Sequence, residues 1–471
     1  MKNIQINSKL IQKGDIFIGI PSENLEDHVL EAISNGASLI VSDLQDKNKL
    51  SKITDNIIFS ENIRKTYSIL SKFYYSEQPE ICVSVTGTNG KSSVVNFLSQ
   101  IWKNLDIQSS SLGTVGLFIN NIKFEGNNDI EIPNLTTPGS LSLHKILSFL
   151  KMKKNIDYLA FEASSHALDQ YRLHSVLLKS AGFTNFASDH MDYHKNRENY
   201  LNAKLRLFRE ILPPENIAVI NGDDQTILES IRNIKNNNTI LSFGIESHNT
   251  ISAMNIREYL KYTIFDIIYD GTIYHDIKIN LVGRFQVMNI LCAMGLCLGS
   301  SSNIKIDDIL NIIHNIIPLN GRMEYIGSYN HGNIYIDYAH TSEGFQNALL
   351  SFRKLCNQEN SRLITIFGCG GNRDTSKRSI MGKISHDLSD ISIITDDNPR
   401  YEDPSSIRQE IIKNCENAIE IGNRKEAIKY GMSLLKKNDV LLIVGKGHET
   451  TQNYGNNIIK HNDKESVLSF L

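Results

Sequence analysis

The stretch ICVSVTGTNGKSSVVNFLSQ, residues 81–100, decides the fold of this 471-residue chain. It opens with an apolar run rich in β-branched side chains, a pattern typical of a buried strand. From Ser92 onward, apolar residues recur at helical spacing, at Val94, Val95, Leu98 and Ile101. The stretch therefore predicts a strand, a glycine-containing loop and a helix in direct succession.

The loop TGTNGKSS between that strand and helix has the features of an anion site, although it lacks the first glycine of the common G-x-x-x-x-G-K-[ST] loop. Gly87 and Gly90 permit positive φ angles and close backbone approach. Backbone N–H groups, the helix N-terminus and the Lys91 ammonium would converge on one point, which suits a polyphosphate. Ser92 or Ser93 offers a hydroxyl to Mg²⁺. The alternative is a glycine-rich turn that binds nothing.

Length and composition restrict the class of protein. The length predicts about three domains of about 150 residues each. A hydrophobic content of 41%, a charged content of 21% and a net charge of −3 predict no general attraction to nucleic acid or anionic membranes. The six cysteines form no C-x-x-C motif, which argues against a zinc ribbon or a disulfide scaffold. The N-terminus lacks a signal-peptide core and no apolar run approaches about 18 residues, so we expect a reduced, cytoplasmic enzyme that is not inserted in a membrane.

The pattern along the chain predicts an α/β fold of three domains. Residues 1–79 contain two predicted strands and a helix, residues 80–317 alternate apolar strands with amphipathic helices, and residues 318–471 repeat that alternation. Residues 250–281 alternate around an Asp-Gly turn, which predicts antiparallel hairpins. Polar clusters follow several strands, and sites in parallel sheets lie beyond the carboxyl ends of the strands.

Two of these polar clusters supply candidate catalytic residues. FEASSHALDQYR, residues 161–172, contains Glu162, a strand-end carboxylate that suits Mg²⁺, with a surface ion pair as the alternative. FASDHMDYH supplies His190 and His194, for which ordinary loop hydrogen bonding is the simpler interpretation. A zinc site is less favoured because no further His or Cys follows at a supporting spacing.

Ten motifs occur in one order along the chain: TGTNGKSS, NLTTPG, FEASSHALDQYR, DHMDYH, AKLRLF, GRME, DYAHT, GCGGNRD, DNPR and GKGHE. This ordered set resembles the Mur ligase family of ATP-dependent amide-forming enzymes over nearly the whole chain. The resemblance implies a small UDP-binding domain at 1–79, a central P-loop-type ATPase domain with a mostly parallel sheet at 80–317, and a Rossmann-like, amino-acid-binding domain at 318–471. It also implies small-molecule substrates, no nucleic-acid partner and a monomer.

The motifs are most similar to those of family members that add meso-2,6-diaminopimelate to the D-glutamate of UDP-N-acetylmuramoyl-L-alanyl-D-glutamate, a peptidoglycan precursor. The resemblance implies that ATP phosphorylates a substrate carboxylate, because an acyl phosphate has a far better leaving group than oxide. An amine then attacks the acyl phosphate. Bringing two anions together requires positive charge, which Lys91 and Mg²⁺ would supply.

The resemblance assigns roles to residues at matching positions. The implied catalytic residues are Lys91, Glu162, His190 and Lys204, with Asp192 as an alternative to His190 near the metals. The implied ATP-binding residues are Gly87, Thr88, Asn89, Gly90, Lys91, Ser92, Ser93, Asn289, Arg322 and Asp337. The residues implied to hold the UDP-muramoyl dipeptide are Ile6, Ser8, Asn134, Thr136, Thr137, Ser164, Gln170 and Arg172. The implied Mg²⁺ ligands are Ser92, Glu162 and Lys204.

Lys204 is implied to carry a carbamate formed with CO₂. A plain ammonium beside Mg²⁺ would repel the metal, whereas a carbamate presents anionic oxygen, the ligand type that a hard cation prefers. The alternative is an unmodified lysine that faces phosphate or solvent.

The implied diaminopimelate site consists of Arg373, Asp397, Asn398, Pro399, Arg400, Gly445 and Glu449. In the family, D-N-P-R accompanies meso-diaminopimelate, whereas members that add L-lysine replace the arginine. The two amino acids differ by one distal carboxylate, which Arg400 can bind through two parallel hydrogen bonds, while Glu449 would take the ammonium. A site that leaves a buried charge unpaired with lysine discriminates strongly against it. The alternative for Arg400 is a surface arginine after an Asn-Pro turn.

Two departures from the family pattern affect the expectations. The N-terminal domain is expected to be shortened, because its first nucleotide-binding motif begins almost at once, with NSK at residues 7–9 in place of DSR. The next nucleotide-binding segment, expected near residues 23–25, matches poorly, which leaves two alternatives open: weaker UDP binding or a trimmed start. Ser342 replaces the proline that usually follows DYAHT, from which we expect a small loop change without loss of activity.

Four other functions stay open at the level of the sequence. Folylpolyglutamate synthase shares a related phosphate loop and acyl-phosphate chemistry, but it lacks D-N-P-R and a dedicated UDP domain. Another Mur ligase, including the L-lysine-adding form, shares most of the motifs. A nucleotide-dependent switch would not need the substrate motifs in the C-terminal third of the chain, which argue against that function. An inactive homologue would fit the shortened N-terminal domain.

Overall fold

The structure, a computed structural model, describes residues 3–234, 236–246, 248–416 and 418–471. The chain divides into two compact units. Unit 1 comprises Met1–Ser242 and Cys292–Lys305, and unit 2 comprises Phe243–Leu291 and Ile306–Leu471. Among the described residues, no helix is both long and apolar enough to cross a membrane.

Unit 1 begins with a small parallel sheet. Its strands are β1 (Ile4–Gln5), β2 (Ile16–Gly19), β3 (Leu39–Asp43) and β4 (Ile57–Ser60), and its helices are α1 (Leu25–Ser34), α2 (Lys47–Leu50) and α3 (Ile63–Tyr74). The four strands are parallel and lie in chain order. Successive residues of β2 point to opposite faces, so Phe17 packs with Val29 of α1 while Ile18 packs with Tyr67 of α3.

The larger sheet of unit 1 contains the strand of the opening stretch. Its strands are β5 (Ile81–Thr86), β6 (Ser109–Gly113), β7 (Gly116–Ile119), β8 (Ile122–Phe124), β9 (Tyr158–Glu162), β10 (Ser180–Phe183) and β11 (Ile217–Asn221). The helices are α4 (Lys91–Asn104), α5 (Ser140–Lys154), α6 (Ser165–Asp169), α7 (Met191–His194), α8 (Arg197–Arg206), which a π-helical turn at Leu207–Ile211 extends, and α9 (Gln225–Arg232).

The strand order places the predicted phosphate loop at the centre of that sheet. The order is β11-β10-β5-β9-β6-β7-β8, parallel from β11 to β6 and antiparallel from β6 to β8. Because β5 lies between β10 and β9, the loop after β5 meets the segments that follow both neighbours. This is the edge at which parallel sheets build their sites.

Two elements cross the boundary between the units, β12 (Thr239–Gly244) and α10 (Arg284–Ser300). Unit 2 then contains an antiparallel meander of β13 (Ile251–Glu258), β14 (Thr263–Tyr269) and β15 (Thr272–Ile279). Asp270 and Gly271 form the turn between β14 and β15, both with positive φ, as a tight hairpin requires. The antiparallel hairpins predicted for residues 250–281 are therefore confirmed.

The rest of unit 2 is a second helix-covered sheet. Its strands are β16 (Glu324–Tyr329), β17 (Gly332–Asp337), β18 (Leu363–Phe367), β19 (Ile391–Ile394), β20 (Ile419–Glu420) and β21 (Val440–Val444), with a separate hairpin of β22 (Thr451–Tyr454) and β23 (Asn457–Lys460). The helices are α11 (Ile306–Ile312), α12 (Ser342–Glu359), α13 (Ser376–Leu388), α14 (Pro404–Ile412), α15 (Arg424–Ser433) and α16 (Asp463–Leu468). The order is β16-β17-β21-β18-β19-β20, and only the β16–β17 pair is antiparallel.

The predicted α/β class with mostly parallel sheets is confirmed. The three predicted domains, at 1–79, 80–317 and 318–471, stay a prediction. The sequence analysis did not anticipate the antiparallel strands β7, β8 and β16 or the β22–β23 hairpin. These strands are short and partly exposed, so they lack the long apolar runs that mark the buried parallel strands.

Candidate active site

The predicted phosphate loop has the strand–loop–helix form that the sequence indicated. β5 ends at Thr86, Gly90 adopts the left-handed conformation with φ of 84°, and α4 begins at Lys91. A Cβ atom at Gly87 would lie 1.9 Å from the Thr184 hydroxyl, so only glycine fits there. The loop is therefore pressed against the segment that follows β10.

That segment holds the loop by hydrogen bonds that the sequence analysis missed. The Thr184 hydroxyl donates to the Asn89 carbonyl at 2.5 Å, and the Asn89 N–H donates to Asn185 Oδ1 at 2.9 Å. The Thr88 hydroxyl donates to the Ala187 carbonyl at 3.1 Å and accepts from its N–H at 3.0 Å. The loop conformation is thus fixed by contacts within unit 1.

Two lysine ammonium groups meet at the loop. Lys91 Nζ donates to the carbonyls of Gly87 and Thr88, both at 2.8 Å, and Lys204 Nζ donates to the same Gly87 carbonyl at 2.8 Å. Lys204 is only 1% exposed, and its Nζ lies 4.3 Å from the ring centre of Tyr200. Burial, aided by the Lys91 charge and opposed by Asp189, lowers the pKa of Lys204 well below its ordinary value. The fold therefore makes the charged form of Lys204 less favourable than it is in water.

Glu162, at the end of β9, is buried beside the loop rather than paired at the surface. Its Oε1 accepts from the Ser92 hydroxyl and from the Thr114 N–H, both at 2.8 Å. The Thr114 hydroxyl lies 3.3 Å from Oε2. The surface ion pair considered from the sequence is therefore wrong for this carboxylate, which is 2% exposed.

The Ser92–Glu162 pair presents a hydroxyl and a carboxylate at the start of α4, the oxygen ligands that Mg²⁺ prefers. The described residues contain no group of three or more His, Cys, Asp and Glu side chains suited to a metal ion. A Mg²⁺ ion here would thus take further oxygens from phosphate groups and water, as is usual for that ion. The donor set fits Mg²⁺ bound together with a nucleotide.

His190 lies next to the two lysines in a cluster of aromatic rings. Its Nε2 is 3.4 Å from Asp189 Oδ2, and its ring centre is 4.9 Å from that of His166. Burial lowers the pKa of His190, Asp189 opposes this, and the charges of Lys91 and Lys204 add to it. Asp192 is exposed. His194 is hydrogen-bonded to the Ser165 hydroxyl at 3.0 Å, which matches the simpler interpretation of that histidine.

Four residues implied to bind the muramoyl dipeptide form one hydrogen-bonded group. The Thr137 hydroxyl donates to the Glu162 carbonyl at 2.7 Å and accepts from the Ser164 N–H at 3.0 Å. Arg172 Nη1 donates to the Thr137 carbonyl at 2.8 Å, and its Nη2 donates to Gln170 Oε1 at 2.8 Å. This group therefore borders the carboxylate beside the phosphate loop.

The other residues of that implied set are less closely connected. The Thr136 hydroxyl lies 3.1 Å from that of Thr114, and Asn134 is exposed. The Ser8 hydroxyl donates to Glu31 Oε2 at 2.5 Å, and Ile6 is 48% exposed. The hydrogen bond of Ser8 therefore joins the 3-10 turn at Ser8–Leu10 to α1.

Three distant motifs converge in unit 2. Gly321 of GRME, with φ of 69°, lies so close to GKGHE that a Cβ atom would be 2.4 Å from the Gly447 carbonyl carbon. The Arg322 guanidinium lies 4.4 Å from the ring centre of Tyr338 in DYAH. Asp337 accepts from the Met323 N–H at 2.8 Å. Arg322 and Asp337, two residues implied to contact ATP, are thus close to each other.

Asp337 and Asn289, two residues of this unit implied to contact ATP, are both buried. Burial raises the pKa of Asp337, against the opposing charge of Arg322 and backbone N–H groups. Asn289 is 6% exposed, and its Nδ2 donates to Gln286 Oε1 at 3.0 Å. Ser342, in place of the usual proline, is the first residue of α12, a position at which proline is also favoured.

Arg400 lies where the loops GCGG and DNPR interlock. Its Nη1 donates to the Gly371 carbonyl at 2.7 Å, and the Gly371 N–H donates to the Asn398 carbonyl at 2.9 Å. The Arg400 N–H donates to the Asn453 carbonyl at 2.9 Å. The arginine is thus partly buried and anchored rather than a free surface residue, whereas Arg373 is exposed.

Asn398 and Glu449 are joined through a lysine that the sequence analysis did not single out. Lys446 Nζ donates to Glu449 Oε2 at 2.6 Å and to Asn398 Oδ1 at 3.1 Å. Asn398 Nδ2 donates to the same Glu449 oxygen at 2.9 Å. Gly445 lies close to Asp397, whose Oδ2 would be 2.9 Å from a Cβ atom there. Pro399 is buried.

Two family models and several known proteins match this chain over most of its length. The model of the Mur ligase middle domain matches residues 85–297, and the model of the Mur ligase, glutamate ligase domain matches residues 321–447. The chain is 40% identical to a protein of Rickettsia bellii (strain RML369-C) named UDP-N-acetylmuramoyl-L-alanyl-D-glutamate--2,6-diaminopimelate ligase. The alignment covers all of this chain and 96% of that relative. The chain belongs to the Mur ligase family. A protein of the same name from Rickettsia prowazekii (strain Madrid E) is 39% identical, again over the full chain and 96% of the relative.

A solved structure of a Mur ligase supports the same assignment at the level of the fold. The structure of a UDP-N-acetylmuramoyl-L-alanyl-D-glutamate--2,6-diaminopimelate ligase matches all of this chain and 94% of its own, with a TM-score of 0.71 and 25% identity. The family that the ordered motifs indicated is therefore confirmed.

The residues that support the Mur ligase site were harder to find than those that form it. Thr184 and Asn185 stand in the polar cluster after β10, which was a usable signal. Thr114 had no such signal, because it reaches Glu162 only through tertiary packing. Tyr200 lies one turn before Lys204 on α8, so helical spacing was a usable signal for that contact.

Proposed function

We propose that this Mur ligase adds meso-2,6-diaminopimelate to the D-glutamate of UDP-N-acetylmuramoyl-L-alanyl-D-glutamate, with ATP converted to ADP and phosphate. One observation carries the proposal: Lys91, Lys204, Ser92 and Glu162 meet at the phosphate loop of a chain that is 40% identical to a ligase of that name. The reaction belongs to peptidoglycan precursor synthesis. We place it in the cytoplasm and expect a monomer with domains at 1–79, 80–317 and 318–471.

The phosphate loop supports the first chemical step. The γ-phosphoryl group of ATP moves to the D-glutamate carboxylate, which forms an acyl phosphate and releases ADP. Lys91 and the N-terminus of α4 would stabilise the charge on the transferring group. Ser92 and Glu162 would hold Mg²⁺, which neutralises phosphate charge when bound.

The buried amine of Lys204 supports carbamylation. A neutral amine adds to CO₂ and loses a proton, which gives an anionic carbamate. Burial and the Lys91 charge favour that neutral amine. A carbamate would place a negative charge next to the Lys91 ammonium and the metal site, both of which would attract it.

The second step joins the amine of the amino acid to the activated carboxylate. The amine attacks the acyl carbon, phosphate leaves, and a proton is lost from the nitrogen. Thr137, Ser164, Gln170 and Arg172 would orient the dipeptide next to Glu162. The Ser8 hydroxyl donates its proton to Glu31, so it would meet uridine as a hydrogen-bond acceptor.

Arg400 supports the choice of diaminopimelate. Its Nη1 is held by the Gly371 carbonyl, whereas its Nη2 and Nε donate to no group among the described residues. Two free N–H donors on one edge of a guanidinium match the two oxygens of a distal carboxylate. L-lysine lacks that carboxylate and would leave these donors unpaired.

The test is phosphate release from ATP and UDP-N-acetylmuramoyl-L-alanyl-D-glutamate, measured with meso-diaminopimelate, with L-lysine and without an amino acid. We expect release only with meso-diaminopimelate. Preference for L-lysine would contradict the proposed substrate. Release that does not depend on an amino acid would contradict ligation, and folded protein without any turnover would favour an inactive homologue.

A further inference from the structure

Lys446 is a fully buried cation at the heart of the proposed amino-acid site. Its side chain is 0% exposed, and its ammonium donates to Glu449 Oε2 and Asn398 Oδ1. Asn398 Nδ2 donates to the same Glu449 oxygen, while the Asn453 N–H donates to Asn398 Oδ1 at 2.9 Å. Each partner of Lys446 is thus fixed by at least one further contact, so the ammonium closes a hydrogen-bonded ring.

This ring leaves one carboxylate oxygen of Glu449 available. Oε2 accepts from both Lys446 and Asn398, whereas Oε1 accepts from no group among the described residues. An ammonium of a bound amino acid would therefore approach Oε1. The orientation of that oxygen depends on the two donors that hold Oε2.

A second buried cation lies behind the ring. Arg424 and Asp463 are both 0% exposed and form two hydrogen bonds, at 2.7 and 2.8 Å. Although burial opposes it, the charges of Asp463, Asp397 and Glu449 raise the pKa of Arg424. Arg424 Nη1 is buried without a hydrogen-bond partner among the described residues. The Arg424–Asp463 pair therefore adds no net charge near Glu449, although Arg424 keeps one buried N–H group without a partner among the described residues.

We infer that Lys446 is a positioning residue that aims Glu449 at the amino acid and cancels its charge, so that the site favours a zwitterionic end over a purely cationic one. The inference rests on the proposed function. The distal end of meso-diaminopimelate carries an ammonium and a carboxylate, which sum to zero, whereas the distal end of L-lysine carries +1. The Lys446–Glu449 ion pair has no net charge, so it attracts an isolated cation only weakly. Arg400 would bind the distal carboxylate of meso-diaminopimelate, which L-lysine lacks.

Removal of the Lys446 charge should change substrate choice as well as affinity. In Lys446→Met, Glu449 becomes an uncompensated carboxylate that is held by Asn398 alone. The site then gains one negative charge, which favours L-lysine and disfavours the added carboxylate of meso-diaminopimelate. A purely structural ion pair would instead weaken both amino acids and ATP alike.

The experiment compares the wild type with Lys446→Met and with the control Lys354→Met. Lys354 also pairs with a carboxylate in unit 2, Glu258 at 2.7 Å, but it belongs to no proposed site. For Lys446→Met we expect the KM for meso-diaminopimelate to rise about 30-fold and the KM for ATP to change less than about twofold. The preference in kcat/KM for meso-diaminopimelate over L-lysine should fall at least about tenfold. The control should match the wild type.

Two further variants make the result decisive. If Lys446 acts through Glu449, Lys446→Met combined with Glu449→Gln should be no worse than Glu449→Gln alone. If Lys446→Met does not fold, Lys446→Gln, which keeps a donor without the charge, should show the same loss of preference. A folded variant with wild-type KM values, or with equal losses for ATP and meso-diaminopimelate, overturns the inference alone. A wild type that does not use meso-diaminopimelate overturns the proposed function and the inference with it.

Discussion

The phosphate loop of unit 1 and the proposed amino-acid site of unit 2 each contain a buried lysine, but the two lysines have different hydrogen-bond partners. At the loop, Lys204 is buried next to the Gly87 carbonyl oxygen and the Tyr200 ring, and its pKa is lowered. At the amino-acid site, Lys446 is equally buried but contacts the carboxylate of Glu449. Burial without a hydrogen-bonded carboxylate disfavours the charged form of a lysine, whereas a carboxylate partner opposes that effect.

That difference matches the task proposed for each region. We propose that the loop binds ATP, the co-substrate of this ATP-dependent family, and its shape is held by neutral hydrogen bonds with Thr184 and Asn185. The amino-acid site has to separate substrates that differ in charge, and charged side chains hold it. Substitutions at the loop should therefore stop the reaction, while substitutions at the amino-acid site should redirect it.

The largest effect is expected for Lys91→Ala. This change removes the ammonium that meets the transferring phosphoryl group, so kcat should fall at least about 10³-fold. Lys103→Ala, an exposed lysine on the same helix, serves as the control and should keep wild-type activity. ATP-dependent acyl-phosphate formation measures the effect, and normal turnover by Lys91→Ala would refute the phosphate-loop assignment.

Lys204→Ala should lower kcat by about 10²- to 10³-fold, because the proposed carbamate ligand cannot form. Wild-type activity should also fall in buffer freed of CO₂ and return with bicarbonate. Lys179→Ala, an exposed lysine of unit 1, should show the wild-type response to bicarbonate. Full activity of the wild type in CO₂-free buffer would argue for an unmodified lysine.

Arg400→Ala should raise the KM for meso-diaminopimelate about 100-fold with little change for ATP, because it removes a charge-assisted pair with the distal carboxylate. Arg257→Ala, an arginine of unit 2 that pairs with Asp276 at the surface, is the matched control. Steady-state kinetics with each substrate varied in turn give the two KM values. Equal increases for ATP and meso-diaminopimelate would contradict the role in specificity.

The smallest effect concerns His144 on α5, a second buried base of unit 1 without a carboxylate. It is 0% exposed, and burial, aided by the Lys72 charge, lowers its pKa to about 4 from an ordinary value of 6.5. The unfolded chain thus binds a proton in a pH range where the folded chain does not. The contribution of His144 to the free energy of unfolding is therefore complete above pH 6.5 and is lost as the pH falls towards 4. At pH 5 the loss of stability is about 2 kcal/mol.

Denaturant unfolding at several pH values tests this expectation. His144→Leu should lose stability less steeply than the wild type between pH 6.5 and pH 4, whatever its stability at neutral pH. His28→Leu, which changes an exposed histidine, should follow the wild-type curve. Parallel curves for His144→Leu and the wild type would show that His144 does not titrate as its burial predicts.

The sequence was sufficient for the parts of the molecule whose signals are local. The apolar run of β5, the glycines and Lys91 lie within one short stretch, and the Asp-Gly turn marked the β14–β15 hairpin. The ordered motifs were sufficient to indicate the family. In each case the residues that define the feature are neighbours in the chain or match a known pattern.

The parts that the sequence did not reveal depend on contacts between distant residues. Lys446 and Asn398 are 48 positions apart in the chain. Thr114 and Glu162, which also share a hydrogen bond, are 48 positions apart as well. The Arg424–Asp463 pair consists of two ordinary charged residues until the fold buries both. No local pattern distinguishes such residues from solvated ones, because their burial is a property of the packed sheet and helices.

The most direct test of the central claim is a competition experiment. The protein would be given ATP, UDP-N-acetylmuramoyl-L-alanyl-D-glutamate and equal amounts of meso-diaminopimelate and L-lysine, and the products would be weighed by mass spectrometry. The account predicts a UDP-muramoyl tripeptide that carries diaminopimelate, with one ADP formed for each tripeptide. A tripeptide that carries lysine, or ADP formed without any tripeptide, would contradict it.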